Sequence, residues 1–181
     1  TYVDTVDFNA SPFSGYVSCC KVIIETGQCC RNSAVTTGVS GDFYTFALID
    51  LCKAPSNSSP TLFKDPVAWV CCNQPVRYKL GGVDSVDFDS ISYAFAEPLS
   101  AYATALSYSG VYSYKRPFAA YWQSPLTYPY VNANSNPPMG IFLDPETGQL
   151  IYTPTNCSEV TVAVLEMKEW RKDTVGKYDL I

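Results

Sequence analysis

Hydrophobic positions along this chain fall in short runs of β-branched and aromatic residues rather than in stripes at helical spacing. Such runs predict strands over residues 16–24, 43–51, 67–70, 76–80, 90–95, 148–153 and 159–171. Turn signals separate them: Ala-Pro-Ser-Asn-Ser-Ser-Pro at 54–60, Gly81-Gly82, the Asn- and Pro-rich stretch 132–138, and Asp144-Pro145-Glu146-Thr147-Gly148. Only the Ala-rich stretch 100–106 suggests a turn or two of helix. Val160, Val162 and Val164 alternate with Thr161, Ala163 and Leu165, so this strand should be central, becoming polar and leaving the core beyond Glu166. The last residues, 177–181, read as a strand cut short, which implies that the natural protein continues.

Many short strands with frequent turns predict an all-β antiparallel sandwich. The Pro- and Ser-rich stretch 54–60 is the candidate boundary. Residues 1–60 would be the end of a preceding β-domain or an added sheet, and 61–181 a sandwich carrying a long aromatic insertion.

Composition narrows the function classes. With 181 residues, 47% of them hydrophobic, the chain can bury one sizeable core or two small β-domains. Twelve basic residues against seventeen acidic ones leave a net charge of -5, without the positive field a phosphate backbone requires, so nucleic acid is not an expected partner. The absence of histidine excludes Ser-His and Cys-His nucleophile schemes. No apolar run approaches the ~18 residues that span a bilayer, so membrane insertion is not expected. The chain starts at Thr1 without a basic, then apolar, export segment, and reads as a processed or excised piece.

Eight cysteines, Cys19, Cys20, Cys29, Cys30, Cys52, Cys71, Cys72 and Cys157, are an even set that fits disulfides and an oxidising compartment. A zinc site would place two or more residues between paired thiolates, whereas three of these pairs are vicinal. Neighbouring side chains on a strand point to opposite faces, so one member of each pair should bridge inward and the other outward. The pairings taken are Cys71 with Cys157, and Cys29 or Cys30 with Cys52, out of the 105 that eight cysteines allow.

Three further constellations invite chemistry. Asp84, Asp87 and Asp89 would repel one another on a turn unless a hard cation such as calcium joined them; the competing reading has them cap the turn by accepting backbone N–H bonds and remain solvated. Residues 93–130 are dense in aromatics, and Tyr112, Tyr114 and Trp122 could present flat faces to a sugar or a protein, or pack on the sandwich. Glu97, Glu159, Glu166 and Glu169 are the carboxylates a glycosidase might use, but Glu166 and Glu169 lie on opposite faces of one strand, and the segment 169–173 reads as an exposed strand end with local ion pairs. No enzyme activity is expected.

Several motifs occur in a shared order: Cys29-Cys30-Arg31-Asn32; Asp65-Pro66-Val67-Ala68 with Cys71 and Asn73-Gln74-Pro75; Val83-Asp84 through Asp89-Ser90-Ile91-Ser92-Tyr93; Asn136-Pro137-Pro138-Met139-Gly140; Phe142-Leu143-Asp144-Pro145-Glu146-Thr147-Gly148; Thr153-Pro154-Thr155-Asn156-Cys157; and Glu166 to Arg171. In that order they resemble the Ig- or cadherin-like modules of very large, type IX-secreted surface proteins of Bacteroidota, such as SprB-type gliding-motility adhesins. The resemblance implies an Ig/cadherin-like sandwich, display at the cell surface outside the outer membrane, and an adhesive or structural role. The implied partners are neighbouring modules, surface polysaccharide or secretion-system components. One departure stands out: Phe88 takes the place of a glycine in the family's aspartate-rich turn. A carbohydrate-binding module of a secreted enzyme or surface complex is the alternative.

Overall fold

The computed structural model describes residues 7, 9–16 and 19–181. A short 3-10 turn, Phe13–Tyr16, precedes twelve strands. These are β1 (Lys21–Gln28), β2 (Phe43–Asp50), β3 (Thr61–Leu62), β4 (Val76–Lys79), β5 (Gly82–Val83), β6 (Ser90–Ala96), β7 (Leu99–Ala101), β8 (Thr104–Ala105), β9 (Ile141–Leu143), β10 (Gln149–Tyr152), β11 (Val164–Lys172) and β12 (Tyr178–Leu180). The fold is all-β and antiparallel throughout, of the sandwich type. Its sheets run β1-β2-β7-β8, β4-β10-β9, β12-β11-β6 and β3-β5.

The core follows from register. Val76, Tyr152 and Ile141 stand opposite one another across β4, β10 and β9, so their side chains share one face. Phe118 and Ala120 of the aromatic insertion pack on that face, Phe118 stacking on Tyr152 with ring centroids 4.6 Å apart. The insertion is held in place by backbone bonds to the continuation of β10: Tyr121 N–H donates to Thr153 O and Thr155 N–H to Ala119 O. It is therefore part of the core rather than an appendage.

Several expected elements shift. Val17 and Ser18, within the first expected strand, lie outside the described residues, and the strand that follows begins at Lys21. Residues 67–70 form no strand, and Trp69 is 94% exposed. Residues 99–105 make the hairpin β7–β8 instead of a helical turn, with Ala103 at positive φ in its bend. The last long strand is central as expected, but it starts at Val164 and runs through Lys172 rather than leaving the core at Glu166.

The stretch 54–60 is folded against its surroundings: Ala54 is buried, and Asn57 and Ser58 bond to the 84–89 turn and to β11. Pairing also crosses it, because Tyr44 of β2 faces Leu99 of β7. Residues 36–37 are tied to 160–161 by Thr36 N–H to Val160 O and by the Thr37 and Thr161 hydroxyls, 2.9 Å apart. Gly38 permits this approach: its φ is +93°, and a Cβ there would meet Ser109 at 2.5 Å.

Candidate functional site

Three clusters collect the residues singled out above. The first is sulfur. Cys20 bonds Cys52, Cys29 bonds Cys30, and Cys72 bonds Cys157, while Cys19 and Cys71 are exposed and unpaired. The expected link from Cys29 or Cys30 to Cys52 fails on register. Lys21 pairs with Asp50 and Gln28 with Phe43, so Cys20 and Cys52 close one end of the ribbon, and Cys29 and Cys30 sit about 25 Å away at the other. Cys30 adopts φ +74°, which takes the segment out of the extended form that would have turned the two thiols to opposite faces. In the remaining pair the inward member is Cys72 and not Cys71, because Asn73 N–H docks on Pro154 O and turns Cys72 toward Cys157.

The second cluster is the aspartate turn. Asp84, 4% exposed, accepts backbone N–H bonds from Val86, Asp87 and Asp89. Burial by itself would raise its pKa, but these bonds and the nearby Arg171 hold it below the ordinary carboxylate value. Arg171 reaches across from β11 and grips Asp89 in a fork, Nε to Oδ1 at 3.0 Å and Nη2 to Oδ2 at 2.6 Å. Asp87 Oδ2 lies 3.6 Å from the same guanidinium and accepts the Ser58 N–H. Asn57 completes the web, its amide donating to Glu169 and its carbonyl accepting from Arg171. The three carboxylates converge within 4.8 Å, as a cation site would require, yet each is already engaged by backbone amides or by Arg171. Only Asp84 caps the turn; Asp87 accepts from the distant Ser58, Asp89 is held by Arg171, and the side chains of Asp84 and Asp89 are buried rather than solvated.

The segment 169–173 is accordingly not an exposed strand end with local ion pairs. Arg171 is bound to a side chain 82 residues away, and Asp89 is nearly inaccessible. Glu169 is partly buried with its pKa raised, chiefly by desolvation, and Glu166 on the other face pairs with Lys168 in solvent. Glu159 anchors the insertion: it accepts from the Tyr112 hydroxyl and, at 2.7 Å, from the Ala119 N–H. Tyr112 is thereby committed to the interior frame, its pKa raised first by that carboxylate and then by desolvation.

The third cluster is a cleft of about 540 Å³, into which the insertion folds Tyr114, Trp122 and Tyr128 against β6 and β9. Tyr114 and Trp122 therefore come together as the sequence suggested, and Tyr112 does not join them. Trp122 is fixed by its indole N–H, which donates to Tyr130 O at 2.7 Å, and by Arg116, whose guanidinium lies 4.9 Å over the ring. Lys115 is the charged residue of the lining, with its ammonium 5.5 Å from the Tyr114 ring centre. Tyr128 belongs to the aromatic stretch 93–130 singled out in the sequence, whereas the sequence pattern does not mark Phe142 or Lys115 as part of a binding surface. The one available signal was the run Tyr114-Lys115-Arg116, two cations set among aromatics.

No protein-family model, curated protein or solved structure matches this chain. Among the described residues, no helix is long and apolar enough to cross a membrane. Three disulfides fit an oxidising, extracellular type of environment.

Proposed function

We propose that this chain is a structural and adhesive module of a large secreted cell-surface protein, acting through contact and not through catalysis. One observation carries the reading. The cleft between β6 and β9 is walled by aromatic and aliphatic side chains with one lysine, Lys115, which provides contact area and charge but, among the described residues, pairs no nucleophile with a base. Two long-range disulfides and the Arg171 web support it, since they crosslink distant parts of the chain against proteolysis and load. The motif order set out above is the ground for placing such a module on the surface of Bacteroidota, beside sibling modules.

A carbohydrate-binding role would draw on the same cleft. Sugar stacking needs an open aromatic face, and the face of Trp122 toward Arg116 is already covered, which favours the adhesive reading. The test is retention under flow. Beads coated with the chain should hold on a protein or polysaccharide film better than bare beads do. Tyr114→Ala should reduce that retention at least twofold with the melting temperature unchanged. Equal retention of coated and bare beads on every film sinks the proposal.

A further inference from the structure

We infer that the cleft between β6 and β9 receives an extended, acidic peptide segment that completes two open strand edges. This deepens the adhesive reading and rests on it.

The two walls are both sheet edges. β6 ends the sheet β12-β11-β6, and β9 ends the sheet β4-β10-β9. β6 meets the turn that follows β9, where Tyr93 N–H donates to Pro145 O at 2.8 Å, and among the described residues no ladder joins the two strands. Hydrogen-bonding direction alternates along a strand, so the direction of the remaining groups follows from parity. Because Tyr93 points its N–H away from β11, Phe95 does the same two residues later. Because Asp144 N–H donates to Gln149 O, Phe142 faces β10, and Ile141 and Leu143 turn their N–H and C=O to the open side. Phe95, Ile141 and Leu143 all line the cleft, and Ile141 is buried. Backbone groups of this kind are strongly favoured to be paired.

An extended peptide supplies what these edges lack, donors and acceptors in alternation at about 3.3 Å per residue. Its alternate side chains would enter the aromatic wall of Tyr114, Tyr128 and Phe142. The charge preference is equally specific. Among the described residues the lining contains no carboxylate and one ammonium, that of Lys115, so the cleft itself favours an acidic peptide over a basic one although the chain as a whole carries a net charge of -5.

The experiment titrates the full chain, labelled with 15N, with the end-blocked hexapeptide Val-Asp-Val-Asp-Val-Asp. Its controls are the Lys-for-Asp peptide, two versions N-methylated at alternate residues in either register, and an oligogalacturonate. The expected result is saturable binding of the acidic peptide with shifts and slowed exchange at the amides of Phe95, Ile141 and Leu143. Binding should weaken at least tenfold on N-methylation in either register or on the change to lysine. Lys115→Ala should weaken it at least threefold with the melting temperature unchanged. Equal binding of the N-methylated peptides, shifts elsewhere on the chain, or no binding by any peptide overturns the inference, as does preference for the oligogalacturonate. If bead retention survives any of these results, the adhesive role stands and only its ligand class is wrong.

Discussion

Asp84 shows how one side chain can set the shape of a turn. Its two oxygens accept the amides of Val86, Asp87 and Asp89, and removing the side chain would leave these part-buried donors without their partner. Asp84→Ala should therefore lower unfolding free energy by about 2–4 kcal/mol in urea melts. The pH sign follows from its lowered pKa: the contribution is present above the unfolded value of 3.8 and is lost as pH falls through the folded one. Since backbone amides and Arg171 already bond to all three carboxylates, adding calcium or a chelator should leave the melting temperature unchanged, and a rise of several degrees with calcium would show that these bonds yield to an ion. Phe88, 82% exposed at φ +60°, holds a left-handed conformation without any packing in return. Phe88→Gly should raise stability by about 0.5–1 kcal/mol, the relief of the left-handed strain less the added chain entropy of glycine.

Among elements, the long connection 106–118 shows how an irregular segment is tied to a frame. Tyr108 donates its hydroxyl to Val162 O at 2.6 Å, beside Arg31, which in turn donates to Leu99 O. Burial raises the Tyr108 pKa to about 12. A raised folded value means that the stability it carries is intact below the unfolded pKa of 10.0 and fades as pH climbs from there toward 12. Urea melts between pH 9 and 12 should show this alkaline loss, and Tyr108→Phe should reduce it, leaving the share of Tyr44, Tyr112 and Tyr152, while costing about 1 kcal/mol at neutral pH through the missing hydrogen bond. An unchanged alkaline slope in the variant would remove Tyr108 as one of its sources. The strands β2, β4, β6 and β10 were legible because each is a short run rich in β-branched or aromatic residues bounded by turn residues, with alternation in β4 and β6. Residues 67–70 have the same local pattern and no strand partner, and propensity alone does not form a strand.

At the scale of the whole molecule, the Cys72–Cys157 bond spans 85 residues and ties the segment before β4 to the loop that leaves β10. Loop-closure entropy of that length gives about 4–5 kcal/mol. Cys72→Ser with Cys157→Ser should lower unfolding free energy by about that much, and reductant should have little further effect on this part of the fold. A loss under 1 kcal/mol would mean that the unfolded chain is not constrained by the bond.

The amino-acid sequence by itself determined the all-β class, the principal turns and the membership of Tyr114 and Trp122 in one aromatic region, because these depend on local alternation and on residues with special backbone preferences. It also bounded the chemistry, since a chain without histidine cannot run imidazole catalysis whatever its fold. Only the tertiary structure decided which cysteines meet, that Arg171 serves the aspartate turn, and that two sheet edges open onto one cleft. Each of those facts is a distance between residues far apart in the chain, and strand pairing sets such distances through register. Register is a property of two segments together, and neither carries it alone.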